Sequence, residues 1–214
     1  NVNNNKIEMN TRLRGTLCGI GAAVCYGTNP LGAINLYNDG ISASATLFYR
    51  FALACLTLGI MMTVQRKSFV VTRRELGILA LLGVFMSTSS TTLYFSFLFM
   101  DVGVASTLLF VYPVMVAVIM ATMFKEKVTK TTMLAITLAL AGIALLNRSG
   151  DGTALSLWGV TLVMLSSLTY AVYIVVVNKS PLRMSSVKLT FYVLFFGMFT
   201  ILGYPLALGE QIQW

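Results

Sequence analysis

The chain reads as an all-α integral membrane protein, a bundle of seven membrane-crossing helices. Three observations predict this. Hydrophobic residues fill 57% of the 214 positions and charged ones only 10%, with a mean hydropathy of +0.82. A soluble domain carries about 25% charged residues. The apolar residues gather in seven runs, at roughly 15–36, 42–64, 76–98, 102–124, 131–147, 156–177 and 188–208. A bilayer core of about 30 Å takes ~20 such residues per helix. The charges, third, fall almost entirely between the runs.

The net charge of +8 has its own order. Residues 1–14 form a polar N-terminal segment with Lys6, Arg12 and Arg14. Arg66, Lys67, Arg73 and Arg74 follow the second run. Lys125, Lys127 and Lys130 follow the fourth, and Lys179, Arg183 and Lys188 the sixth. Thirteen of the fifteen Lys and Arg thus fall on one side; the other side has only Arg148, and Arg50 lies inside a run. The positive-inside bias then predicts a cytoplasmic N-terminus. A bacterial inner (plasma) membrane is the expected location.

The first run carries small residues at Gly15, Gly19, Ala23 and Gly27, a spacing that lets another helix approach. Tyr26, Thr28, Asn29 and Pro30 follow. Pro30 removes a backbone donor and predicts a kink; a structural bend and a solute contact both fit it. Cys18, Cys25 and Cys55 lie within apolar runs and read as buried thiols. Cys18 and Cys25, two turns apart on one helix, are too distant for a disulfide.

Arg50 sits in the second run about eight residues from its outer end. A charge there costs at least about 2.5–3.5 kcal/mol on insertion scales. It must face a cavity, a carbonyl cluster or an anion, or reach the outer surface some ~12 Å away. In the third run six hydroxyl residues, Ser87 to Thr92, wrap the helix and cannot all face one pocket. Many should bond back to their own carbonyls. Gly83, Ser87 and Thr91 read as a packing seam, and some of Thr88, Ser89 and Thr92 as cavity-facing. Tyr94 follows.

The stretch from Gly103 to Leu146 is a hairpin of two apolar runs around a charged elbow, Lys125-Glu126-Lys127. Pro113 stands in the middle of its first run, after Ser106, Thr107 and Tyr112. Glu126 reads as an interfacial ion-pair residue beside Lys125, Lys127 or Lys130. The fifth run is short and Ala-rich, which suits a scaffold helix or a homodimer contact.

An offset of 144 residues pairs Leu13 with Leu157, Gly15 with Gly159, Tyr26 with Tyr170, Ser42 with Ser186, Thr46 with Thr190 and Gly59 with Gly203. One offset holding over two runs indicates an internal repeat. Five runs precede the sixth, so the second copy is inverted, a plan that places a solute site near the membrane midplane. The expected whole is an inverted-repeat transporter bundle of ten helices. Residues 15–147 would form its first five-helix unit and 156–214 the first two helices of the second, with three helices absent.

These residues resemble the EamA domain of the drug/metabolite transporter superfamily. The likeness is carried by Ala105-Ser106, Leu108-Leu109, Pro113, Glu126 after the fourth run, Gly142 near the end of the fifth, and Arg50. It implies a ten-helix carrier of two inverted units that moves small organic solutes, often amino acids and other metabolites, frequently outward.

The leading functional reading is a permease or exporter working by alternating access. Its candidate solute-binding residues are Tyr26, Asn29, Arg50, Tyr94, Tyr112 and Tyr170, with Pro30, Pro113 and Glu126 in structural or hinge roles. Aromatic rings would hold an apolar body, and Arg50 a carboxylate through a forked charge-assisted bond. No Asp or Glu lies inside a run, so these runs offer no carboxylate for proton coupling. The alternative is a seven-helix receptor or a channel-like protein. The charge bias opposes the orientation of a receptor, and no selectivity filter or charged ring is visible. An enzyme is not expected: there is no histidine, no HExxH and no paired intramembrane carboxylate. No cofactor or metal is called for. The expected partners are a small-molecule solute and membrane lipid, not nucleic acid.

Overall fold

The computed structural model describes residues 2–38, 40–126, 132–134, 136–138, 141–142 and 156–208. Side chains are described throughout these segments except at 2–12, 14, 26, 29–31, 34, 38 and 204–208. The described chain is helical apart from its connections. Its elements are α1 (Val2–Gly27), α2 (Asn29–Asn38), α3 (Ala43–Val64), α4 (Arg73–Ser96), α5 (Val102–Leu109), α6 (Tyr112–Met123), α7 (Leu157–Lys179) and α8 (Ser186–Leu208).

Five stretches among the described residues are long and apolar enough to cross a membrane. They are α3, α4, Val102–Met123 through α5 and α6, α7, and Ser186–Gly203 of α8. Each matches an expected run to within a few residues. The first expected run is not one helix: it is a short apolar stretch, Gly15–Cys25, then a turn at Thr28, then α2. The fifth expected run lies mostly outside the described residues; 132–134, 136–138 and 141–142 are helical.

The helix starts are written in local chemistry. Ser42, Asp101 and Ser156 accept from the backbone N–H of Ala45, Val104 and Gly159, which satisfies donors that the first helical turn leaves open. Thr72 and Glu75 form a reciprocal capping box at α4. At the end of α3, Arg66 adopts φ +49. The Lys67 N–H then reaches the Met62 carbonyl at 2.9 Å and the Arg66 N–H that of Thr63 at 3.0 Å. This Schellman turn closes the helix with an arginine where glycine is usual.

Helix α4 is the hub. It packs on α7 and α8 and also meets α3 and α5, while α8 lies on α3 and α7 lies on α5 and α6. Glycine permits the closest approach. A Cβ at Gly83 would stand 2.7 Å from Phe196 Cβ and 3.0 Å from the Gly197 nitrogen and the Val193 oxygen. Small residues allow such backbone contact between membrane helices, where packing replaces the hydrophobic drive. Gly83 is therefore a seam with α8, as its spacing suggests. Gly15, Gly19 and Gly27 meet nothing within 4 Å among the described residues. The expected close helix neighbour on that face of α1 is not found there. For the same reason Cys18 and Cys25 are exposed, against expectation, and of the three cysteines Cys55 is the buried one.

Three connections meet at one end of the bundle. Lys188 Nζ donates to the Val70 carbonyl at 2.5 Å, and Tyr192 Oη donates to that of Phe69. Lys179 Nζ lies 2.6 Å from Glu126 Oε1. The basic segments after α3, α6 and α7 thus share a face. The described ion-pair partner of Glu126 is Lys179 rather than its neighbour Lys125; Lys127 and Lys130 lie outside the described residues. Sequence proximity misleads here because two helix ends converge.

Candidate functional site

Arg50 lies 14 residues before the end of α3, about 20 Å from the basic face at 1.5 Å per residue. Tyr94 lies near the far end of α4. Arg50 Nη1 donates to Tyr94 Oη, and its guanidinium carbon stands 5.2 Å from the centre of the Tyr94 ring. Tyr94 is held in turn. Its carbonyl would accept from Leu98 if α4 continued, but the Leu98 N–H turns to Phe95 at 3.1 Å. The hydroxyl of Tyr37, from α2, donates to the freed carbonyl at 3.3 Å. The Tyr37 and Tyr94 rings meet edge to face at 6.4 Å. Tyr94 is 4% exposed, so ring and hydroxyl are fixed in a packed wall.

Arg50 and Tyr94 line a cavity of about 460 Å³ in the half of the bundle away from the basic face. That volume suits a small organic ligand. Ser90 and Ser106 add hydroxyls, while Phe51, Leu93, Phe97 and Phe110 make much of the apolar wall. The side-chain Oγ of Ser106 is buried and has no hydrogen-bond partner among the described residues. Among the described residues the chemistry is one cation and a few hydroxyls in an apolar, aromatic chamber.

Two helix breaks border this chamber. Gly27 lines it at the end of α1, one residue before the turn at Thr28. Leu109 and Phe110 line it where α5 gives way to α6. The second break is a tightened turn: Phe110 donates to Thr107, Val111 to Leu108 and Val114 to Val111. These are 3₁₀-type bonds, and Pro113 at the start of α6 explains them.

The expected site residues divide into three groups. Arg50 and Tyr94 come together at the cavity. Tyr112 and Tyr170 come together elsewhere: their rings meet edge to face at 4.8 Å, and Tyr170 stacks on Tyr173 at 5.7 Å. Neither is in the cavity wall: Tyr170 on α7 packs against Tyr112 of α6 instead. The side chains of Tyr26, Asn29 and Pro30 lie outside the described residues, although their backbone flanks the first break.

The hydroxyl run of α4 is distributed as its wrapping requires. Ser87 and Thr92 bond back to carbonyls of α4. Ser89 crosses to α7, where it donates to the Ser166 carbonyl at 2.9 Å while Ser166 donates to that of Ser89 at 2.7 Å. Ser90 is the member of the run in the cavity wall; some of Thr88, Ser89 and Thr92 were expected there, and none of the three lines it. Helical spacing carried the signal: Met86, Ser90, Leu93, Tyr94 and Phe97 follow one face of α4.

No curated protein and no solved structure matches the chain. A family model does, over residues 13–148, the stretch that supplies Arg50, Tyr94, Ser106 and both helix breaks. With more than half its length matched, this chain belongs to the EamA-like transporter family, within the drug/metabolite transporter superfamily of membrane proteins.

Proposed function

We propose that the chain carries the solute site of a secondary transporter for small amphipathic solutes bearing a carboxylate, of the amino acid-like kind, exchanged across the membrane by alternating access. The observation that supports this most is Arg50. A charged guanidinium at membrane depth marks a functional site by default, and its forked donors match a carboxylate. One of its donors is fixed on the Tyr94 hydroxyl, and the guanidinium lines the cavity together with Ser90 and Ser106. Phe51, Phe97 and Phe110 would receive the apolar body.

The two broken helices favour a carrier over a fixed pore. Interrupted helices at membrane depth occur where they line a cavity, and carriers build their sites from them. We place the basic face in the cytoplasm and assign α7 and α8 to a second unit inverted relative to the first. The test is solute exchange by the full-length protein in liposomes, with a panel of free amino acids and their carboxyl amides. Selective exchange of the free acids, lost in Arg50→Ala, supports the assignment. Equal handling of acids and amides would remove the carboxylate from the proposal.

A further inference from the structure

Leu109 and Phe110 line the cavity at a place where a membrane-crossing helix has lost part of its backbone bonding. In an unbroken helix the amide of residue 113 donates to the carbonyl of residue 109. Residue 113 is proline and has no amide hydrogen. The Leu109 carbonyl is therefore short of its helical donor, deep in a packed wall: Leu109 is 5% exposed. An unmet carbonyl in such surroundings is expensive. The structure supplies a donor from another helix. Ser167, on α7 and fully buried, donates its hydroxyl hydrogen to the Leu109 oxygen at 3.2 Å.

The residue beside it fixes α7 from the other side. Ser166 and Ser89 exchange hydroxyl-to-carbonyl bonds, so α7 is tied to α4 at the same level. Two adjacent serines thus hold the break against the hub helix. Ordinary packing would need neither the direction of the Ser167 hydroxyl nor its choice of acceptor, the one carbonyl whose helical donor Pro113 removes.

We propose that Ser167 is a positioning residue of the cavity: its hydroxyl replaces the amide hydrogen that Pro113 lacks and so sets where the Leu109–Phe110 wall stands. The link to transport rests on the cavity being the solute site; the bond itself does not. Ser167 then acts on solute through Leu109 and Phe110, without touching it.

The claim has a specific signature, since the two residues should be energetically coupled. With Pro113 replaced by alanine, the amide at 113 can serve Leu109 and the serine becomes dispensable. The full-length protein in nanodiscs would carry Phe110→Cys, with Cys18 and Cys25 changed to serine. The readout is the rate at which a small methanethiosulfonate reagent modifies residue 110. Ser167→Ala should change this rate by about fivefold, the size expected for one buried hydrogen bond. Ser167→Thr should restore it. In the Pro113→Ala background Ser167→Ala should have almost no effect. An equal effect in both backgrounds, or none with Pro113 present, would overturn the proposal. If Ser167→Ala does not yield folded protein, Pro113→Ala should rescue it; an unfolded double variant also overturns it. No solute enters the assay, so failure of the transporter reading leaves its result intact.

Discussion

Lys179 Nζ meets Glu126 Oε1 at 2.6 Å, and the same ammonium stands 4.7 Å from the centre of the Phe124 ring. The pair ties the end of α7 to the elbow after α6. Both side chains are partly open to solvent, at 37% and 50% exposure. Its value is therefore topological: it draws two basic connections to one face. Exposed pairs contribute about 0–1 kcal/mol. Glu126→Gln should lower stability by no more than that in low salt, and by less in high salt, where screening has already removed the attraction. Thermal unfolding in detergent at two ionic strengths would measure it. A loss several times larger, indifferent to salt, would show that the pair does more than join the ends.

The Gly83 contact should be far less tolerant. A methyl group there meets Phe196 Cβ and two backbone atoms of α8, none of which is the free end of a side chain. Gly83→Ala should cost about 1–3 kcal/mol through forced separation of α4 and α8. Gly59→Ala is the control: its nearest neighbour is the ring atom Phe191 Cε2 at 3.3 Å, which can swing aside. Unfolding midpoints of the two variants should separate clearly, and equal midpoints would contradict the tight α4–α8 seam.

The orientation proposed above rests on the shared basic face. Val70 is 81% exposed at that face, and Leu157 is 79% exposed at the start of α7, the opposite end of the bundle. With Cys18 and Cys25 removed, Val70→Cys should react with an impermeant thiol reagent only after cells are permeabilised. Leu157→Cys should react in intact cells. The reverse pattern would invert the assigned topology.

Much of the fold was legible because it depends on local facts. The ends of α3, α7 and Val102–Met123 follow from apolar length and from charges that cannot enter hydrocarbon. Pro30 and Pro113 announced the two breaks. What the sequence concealed is non-local. Nothing near Glu126 points to Lys179, 53 positions away, and nothing in the hydroxyl run pairs Ser89 with Ser166. The site was half visible. Arg50 was conspicuous as a lone charge in a run, and Tyr94 as the aromatic residue closing the polar stretch. Ser90 could have been read from Tyr94 by stepping back one helical turn. Tyr112 and Tyr170 stood out as aromatic residues, but which way a helix faces depends on its neighbours, and α6 and α7 face each other.

The Arg50–Tyr94 bond makes a graded prediction. Tyr94→Phe removes the acceptor and keeps the ring, so Arg50 loses this bond but not the cavity. Apparent affinity for a carboxylate solute should change by about tenfold, the low end of the range for one hydrogen bond to a charged group, with the fold intact. Arg50→Lys keeps the charge without the fork and should fall between wild type and Arg50→Ala.

The most direct test of the central claim is binding of carboxylate solutes to the purified full-length protein, wild type against Arg50→Ala, followed by isothermal calorimetry. If Arg50 holds the carboxylate, wild type binds at least one free amino acid saturably and none of its carboxyl amide. That binding then falls by more than about tenfold in Arg50→Ala, as expected when one side of a buried charge pair is removed. Undiminished binding by a folded Arg50→Ala protein would contradict it.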